Sequence, residues 1–92
     1  MDLVARVDFI SEKITFRDLD SDGSEVGFVE RRGPIWLAIV GQDDPATTWE
    51  RTFDEWHEAG AAVCAELARR YYLEKEAGST TASFRRRLVA KE

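Results

Sequence analysis

The only histidine of the chain, His57, stands among acidic residues and is the first candidate for acid–base or metal chemistry. Asp54 and Glu58 are its neighbours in the sequence, and a carboxylate beside an imidazole can orient it as a general base. Nucleophilic catalysis would also need a serine or cysteine within reach, and the pattern places neither there. We therefore interpret His57 as a surface residue of a helix and predict that the protein is not an enzyme.

Two acidic clusters could offer oxygen ligands to a metal ion. The run Asp18–Asp22 alternates aspartates ahead of Gly23, as the first half of a calcium loop does. The position where such a loop carries a glutamate is Val29, and the flanking segments alternate like strands, so a polar turn is the better interpretation. Asp43 and Asp44 are adjacent in a loop, where neighbouring side chains usually point apart. We predict no metal site and no cofactor.

The single cysteine, Cys64, excludes both an intramolecular disulfide and a cysteine-based zinc site. It lies in a helical pattern among alanines, so we interpret it as a small buried apolar residue. The longest apolar run, residues 35–40, is too short to cross a bilayer. The first residues lack the basic and apolar regions of a signal peptide. We expect no membrane partner and a reducing, cytoplasmic location.

The net charge of −5 hides an uneven distribution along the 92 residues. Residues 1–66 carry 15 acidic and 6 basic side chains, whereas residues 67–92 carry 3 and 7. The acidic part argues against general nucleic-acid affinity, while Arg85, Arg86 and Arg87 could attract an anionic partner without sequence specificity. Ten arginines against three lysines are typical of a GC-rich bacterial or phage source.

Alternating apolar residues and turn signals predict four to five strands followed by one long helix. The strands are expected at residues 3–10, 13–19, 24–31, 35–40 and 47–52, and the helix at about 53–77. Thr52 and Glu55 have the spacing of a capping box at the start of the helix. An apolar stripe follows at spacings of three and four, formed by Phe53, Trp56, Gly60, Val63, Leu67 and Tyr71.

Short connections between the strands favour an antiparallel meander with the helix packed on one face, which is an α+β fold. We predict a single domain over residues 1–78. Residues 79–92 are expected to be a short basic tail that is mobile or forms a short helix.

The two faces of the predicted sheet differ in composition. We expect the helix-facing side to carry Leu3, Ala5, Val7, Phe9, Ile14, Phe16, Val26, Phe28, Ile35, Leu37 and Ile39. The second face then mixes arginines with apolar residues, whereas a solvated antiparallel face should be mostly polar. Its candidate partner-binding residues are Arg6, Arg17, Val29, Arg31, Trp36 and Val40. A one-residue slip in strand register would exchange the two faces.

Three kinds of partner could cover this second face. A second copy of the chain could bury this face or join the sheet edges, and either contact would support a core of this size. A different protein could dock there, and the acidic body could also occupy a partner's basic groove, as inhibitory and nucleic-acid-mimicking proteins do. In the third alternative, Trp36 stacks nucleic-acid bases while Arg6, Arg17 and Arg31 contact phosphates.

The order of elements resembles the PUR-type and positive-cofactor-4-type single-stranded nucleic-acid-binding domains. The resemblance covers about residues 3–72 and is carried by Ser11-Glu12-Lys13 before Ile-Thr-Phe, and by Thr-Phe-Asp-Glu-Trp at the start of the helix. It implies a curved sheet that binds single strands on its open face. Those families usually present more basic sheets than this chain does.

The sequence therefore predicts a small non-enzymatic binding module, forming a homodimer and acting through protein–protein contacts in a regulatory or inhibitory role. The alternative is a single-stranded nucleic-acid-binding domain that uses the open sheet face and the basic tail.

Overall fold

A computed structural model describes the backbone of residues 1–78 and 85–91 and the side chains of residues 1–73. The elements are β1 (Asp2–Asp8), β2 (Lys13–Asp18), β3 (Ser24–Arg32), β4 (Ile35–Val40), β5 (Trp49–Phe53), α1 (Trp56–Gly78) and β6 (Arg85–Lys91). Strands β1 to β5 form an antiparallel meander, and α1 packs on one face of it. The predicted α+β fold is confirmed.

The sixth strand extends the sheet to the order β5-β4-β3-β2-β1-β6. It runs parallel to β1, from the pairing of Asp2 with Arg85 to that of Asp8 with Lys91. This strand differs from the expected mobile or helical tail. The sequence around residues 85–91 gives no local signal for it, because the strand that it pairs with lies 83 positions earlier in the chain. The rest of the predicted tail, residues 79–84 and 92, lies outside the described residues.

Helix α1 presents a buried stripe to the sheet, and the predicted stripe residues Val63, Leu67 and Tyr71 are confirmed as members of it. The helix starts at Trp56 rather than at Phe53, so the predicted capping box is wrong. Residues Thr52 and Phe53 instead pair with β4 as the last residues of β5. Because the sheet uses the backbone of both residues, the helix begins only after the following bend.

The core lies between α1 and the middle strands. Its buried apolar members are Leu3, Val7, Ile14, Phe16, Val29, Ala38, Val40, Ala59, Val63 and Leu67. Leu3, Val7, Ile14 and Phe16 were predicted to face the helix, and their place in this core confirms the prediction. The same prediction is wrong for four residues that lie on the opposite side of the sheet: Phe28, Ile35, Leu37 and Ile39.

A β-bulge explains part of this error. The register shifts between Phe16 and Arg17, so that Phe16 pairs with Gly27 and Arg17 pairs with Glu25, leaving Val26 as an extra residue. Strict alternation from Val26 would bring Phe28 to the helix side, but Gly27 and Val29 lie there instead. Both faces of β4 are apolar, so the alternation of apolar and polar residues does not show which of its side chains face the helix.

Gly27 allows α1 to approach the sheet closely. A Cβ atom at this position would lie 2.8 Å from the carbonyl oxygen of Ile39 and 3.3 Å from a methyl carbon of Val63. The contact between α1 and β3 therefore depends on the absence of a side chain at this position.

Glu66 anchors the second half of α1 to the loop after β4. Its side chain is only 8% exposed and accepts hydrogen bonds from Arg69, at 2.8 and 2.6 Å, and from Arg70, at 2.7 Å. Arg70 also donates to the carbonyl oxygen of Thr47. The hydrogen bonds from Arg69 lower the pKa of Glu66 to about 2, against the opposing effect of burial and with a further contribution from Arg70.

The aspartate-rich run forms the predicted polar turn between β2 and β3. The Asp18 carboxylate is buried and accepts hydrogen bonds from the backbone of Asp2 and Asp20 and from the hydroxyl of Ser21, at 3.0–3.1 Å. It caps a short 3-10 turn, Leu19–Ser21, so its oxygens stabilise the chain itself.

In the described part of the chain, no helix has the length and apolarity needed to cross a membrane.

Candidate binding face

The side of the sheet opposite α1, here called the open face, is the main candidate for binding. Strand residues that pair across a sheet share a face, and successive residues alternate between faces. Since Phe16, Val29 and Ala38 lie under the helix, the neighbouring Thr15, Phe28 and Ile39 belong to the open face. Among the described elements, α1 is the only α-helix, and it packs on the opposite face.

One row of side chains crosses the open face from β1 to β5. Arg6 pairs with Thr15, Thr15 with Phe28, Phe28 with Ile39, and Ile39 with Glu50. Four strand spacings separate its ends, a distance of roughly 19 Å. Arg6 and Glu50 are exposed, whereas the three side chains between them are partly buried. From β1 to β5 the row has an apolar centre, with a cation on β1 and an anion on β5; on β6, the residue that pairs with Arg6 is Val89.

Neighbouring charges are already partly engaged within the face. The ammonium of Lys13 lies 4.8 Å from the centre of the Phe28 ring, within the range of a cation–π contact. The guanidinium of Arg32 donates to Glu30 through Nε at 2.8 Å and forms an ion pair with it. Glu50 is exposed on β5, so it can meet a cation of a partner.

The predicted partner-binding residues do not all share this face. Arg6 and Arg17 lie on it and are exposed, and Arg17 donates to the carbonyl oxygen of Gly23 at 3.2 Å. Val29 and Val40 are 0% and 1% exposed, because they pack under α1. Their assignment to a binding surface is wrong, and the bulge together with the two-sided apolar β4 is the reason.

Trp36 and Arg31 also lie on the helix side, where they pair with each other across β3 and β4. Trp36 packs against the core, so it is not the aromatic residue of the open face that the sequence suggested. Arg31 is exposed and donates at 3.0 Å to Glu12 and at 3.0 Å to the carbonyl oxygen of Gly33. Residues Arg85, Arg86 and Arg87 of the predicted basic tail begin β6, next to β1.

Sequence reasoning missed the central residues of the open face, Phe28 and Ile39, together with Glu50. The pattern contained one usable signal. Gly27 in a strand interior is typical of a close backbone approach, which would have placed Phe28 on the other side.

The candidate chemical residues do not converge on a reactive centre in the described part of the chain. His57 is exposed on the first turn of α1, with its ring 5.9 Å from that of Trp56. Cys64 is partly buried and packs against the core. Among the side chains of residues 1–73, no three His, Cys, Asp or Glu residues form a group that could hold a metal ion.

The arrangement of the open face suits the binding of a complementary surface. Its centre offers apolar area, and its two charged ends set the direction in which a partner can lie. No family model, no curated protein and no solved structure matches this chain.

Proposed function

We propose that the protein is a small binding module that forms a homodimer through its open face and acts by protein–protein contacts in a regulatory or inhibitory role. The observation that supports the dimer is the row from Arg6 to Glu50, which is complementary to itself. In a symmetric dimer, each copy uses the same patch, so the patch must match its own rotated image.

The rotation that achieves this match has its two-fold axis parallel to β3 and above Phe28. It places Phe28 against its own copy, Thr15 opposite Ile39, and Arg6 opposite Glu50. Every dimer then contains two Arg6–Glu50 pairs at the edges of an apolar centre. This is the usual organisation of protein interfaces, in which a polar rim surrounds an apolar core.

A charge exchange tests this geometry. Arg6→Glu places two carboxylates opposite each other at both ends of the interface, and Glu50→Arg does the same with two guanidiniums. We expect either variant to raise the dimer dissociation constant at least tenfold, about 1.4 kcal/mol. The double variant should restore the constant to within about threefold of the original. Sedimentation equilibrium at low ionic strength measures all four proteins.

Rescue by the double variant cannot arise within one copy, since the two residues lie at opposite ends of the row. Arg51→Glu is the matched control, because Arg51 is an exposed arginine whose side chain contacts Trp49 on the helix side of β5. It should leave the dissociation constant unchanged. A monomeric parent protein at about 1 mM, or a double variant as weak as either single one, would contradict the proposal.

Single-stranded nucleic-acid binding is a second candidate, favoured by the position of Arg6 and Arg17 on the same face as Phe28. A base could stack on Phe28 while the arginines contact phosphates. Fluorescence anisotropy with a labelled oligothymidine should then show binding that weakens steeply with salt and is lost in Phe28→Ala. Absence of binding at low salt excludes this candidate and leaves the dimer proposal intact.

A further inference from the structure

A groove on the helix side of the sheet is a second candidate binding site, separate from the open face. The groove, here called the aromatic groove, encloses about 220 Å³ between the β1–β2 turn, β4 and the start of α1. Its lining residues include Asp8, Phe9, Glu12, Lys13, Trp36 and Trp56. Phe9 is 61% exposed and Trp56 is 45% exposed, so two aromatic rings border it in contact with solvent.

The turn that displays Phe9 is held in place by several contacts. The Asp8 carboxylate accepts hydrogen bonds from the backbone of Ile10 at 3.0 Å and of Ser11 at 3.2 Å. Glu12 accepts from the backbone and the guanidinium of Arg31, at 3.1 and 3.0 Å, which ties the turn to β3. The exposed position of Phe9 is therefore built into the fold, and an ordered rim reduces the ordering cost of binding.

The size of the groove limits what it can hold. A cavity of about 150 Å³ admits a benzene ring, whereas pockets for drug-sized ligands begin at roughly 300 Å³. At 220 Å³ the groove suits one aromatic or large aliphatic side chain. Such a side chain would reach it from a peptide segment lying across the mouth.

The charges around the groove indicate what flanks that side chain. Asp8 and Glu12 line it, and Asp54, Glu55 and Glu58 surround Trp56 in the sequence around the start of α1. Arg31 pairs with Glu12, so these two charges offset each other, and the ammonium of Lys13 lies over Phe28 on the open face. The exposed Asp54, Glu55 and Glu58 therefore set the sign of the charge beside the groove.

We propose that the aromatic groove binds a basic peptide segment of a partner protein that inserts one aromatic side chain between Phe9, Trp36 and Trp56. This inference rests on the proposed protein-binding function, but it uses a surface separate from the open face. It gives the protein one face for its own copy and one groove for a different protein.

Three capped pentapeptides test the proposal by two-dimensional NMR of the full chain: Lys-Lys-Trp-Lys-Lys, Lys-Lys-Ala-Lys-Lys and Glu-Glu-Trp-Glu-Glu. The first should bind below about 1 mM and shift the resonances of the groove residues. The other two should bind at least about tenfold more weakly, since each lacks one half of the recognition. Equal binding of the alanine peptide, shifts outside the groove, or no binding of the first peptide would each overturn the proposal.

Trp56→Ser should raise the dissociation constant of the Lys-Lys-Trp-Lys-Lys peptide at least about tenfold, because it removes one wall of the groove. The matched control is Leu73→Ser, which changes another exposed apolar residue of α1, one that does not line the groove. Unchanged binding in Trp56→Ser would also overturn the proposal. Repeating the titration with the Arg6→Glu variant distinguishes the groove proposal from the dimer proposal. The peptide should still bind to this variant, whatever its oligomeric state.

Discussion

Replacing Gly27 by alanine is expected to lower the free energy of unfolding by about 2–3 kcal/mol. The new Cβ atom would lie 2.8 Å from the carbonyl oxygen of Ile39, a backbone atom that cannot move without disturbing β4. It would also lie 3.3 Å from a methyl carbon of Val63, so α1 would have to shift away from the sheet. Urea denaturation followed by circular dichroism measures the change.

Gly60→Ala is the matched control, because it adds the same methyl group to a second glycine of the same interface. The nearest atom to a Cβ at this position is the Cδ1 of Ile14 at 3.9 Å, an ordinary contact. Since alanine favours a helix interior over glycine, this variant should gain about 0.5–1 kcal/mol. Opposite signs for the two substitutions are expected, and a Gly27→Ala protein as stable as its parent would contradict the close approach.

Replacing Glu66 by glutamine is expected to cost about 2 kcal/mol at pH 7, because two arginines lose a buried, charged acceptor. Arg70 is the more affected of the two, since its side chain is 28% exposed against 59% for Arg69. The loop after β4 should loosen as well, because Arg70 passes beside Gly41 to reach the carbonyl oxygen of Thr47. Gly41 has a φ of +74° and no side chain that would obstruct this passage.

The cost of Glu66→Gln should depend on pH in a defined direction. The pKa of Glu66 is lowered from 4.5 to about 2 in the folded state, so the stabilisation is complete above pH 4.5 and is lost as the pH falls towards 2. The difference in free energy of unfolding between parent and variant should shrink across this window. Glu58→Gln, an exposed change on the same helix, should stay within about 0.5 kcal/mol of the parent at pH 7. A pH-independent difference would contradict the assigned ion pairs.

The helix and the meander were predictable because their signals are local. The spacing of Val63, Leu67 and Tyr71 marks a helical stripe whatever the rest of the chain does. The first two strands alternate clearly, and Asp22-Gly23 marks the turn after them. Each of these predictions depends on residues within a few positions of one another.

The binding face was only partly predictable, because it depends on register. One extra residue at Val26 reverses the count for the rest of β3, and the apolar run of β4 offers nothing to correct it. Arg6 and Arg17 lie on β1 and β2 and were placed correctly on the open face. Phe28 and Ile39 follow the extra residue and were therefore assigned wrongly to the core. The aromatic groove was not predictable, since it joins a turn, a strand and a helix start that are distant in sequence.

Strand β6 has a consequence for how the protein avoids aggregation. It occupies one border of the sheet, and a border strand offers unpaired backbone groups to any passing chain. Four of its seven residues are basic, and β5 at the opposite border carries the adjacent charges Glu50 and Arg51. Charged border strands are a common defence against edge-to-edge association. The arginine triplet therefore counters growth of the sheet at this border, which is compatible with the proposed dimer through the open face.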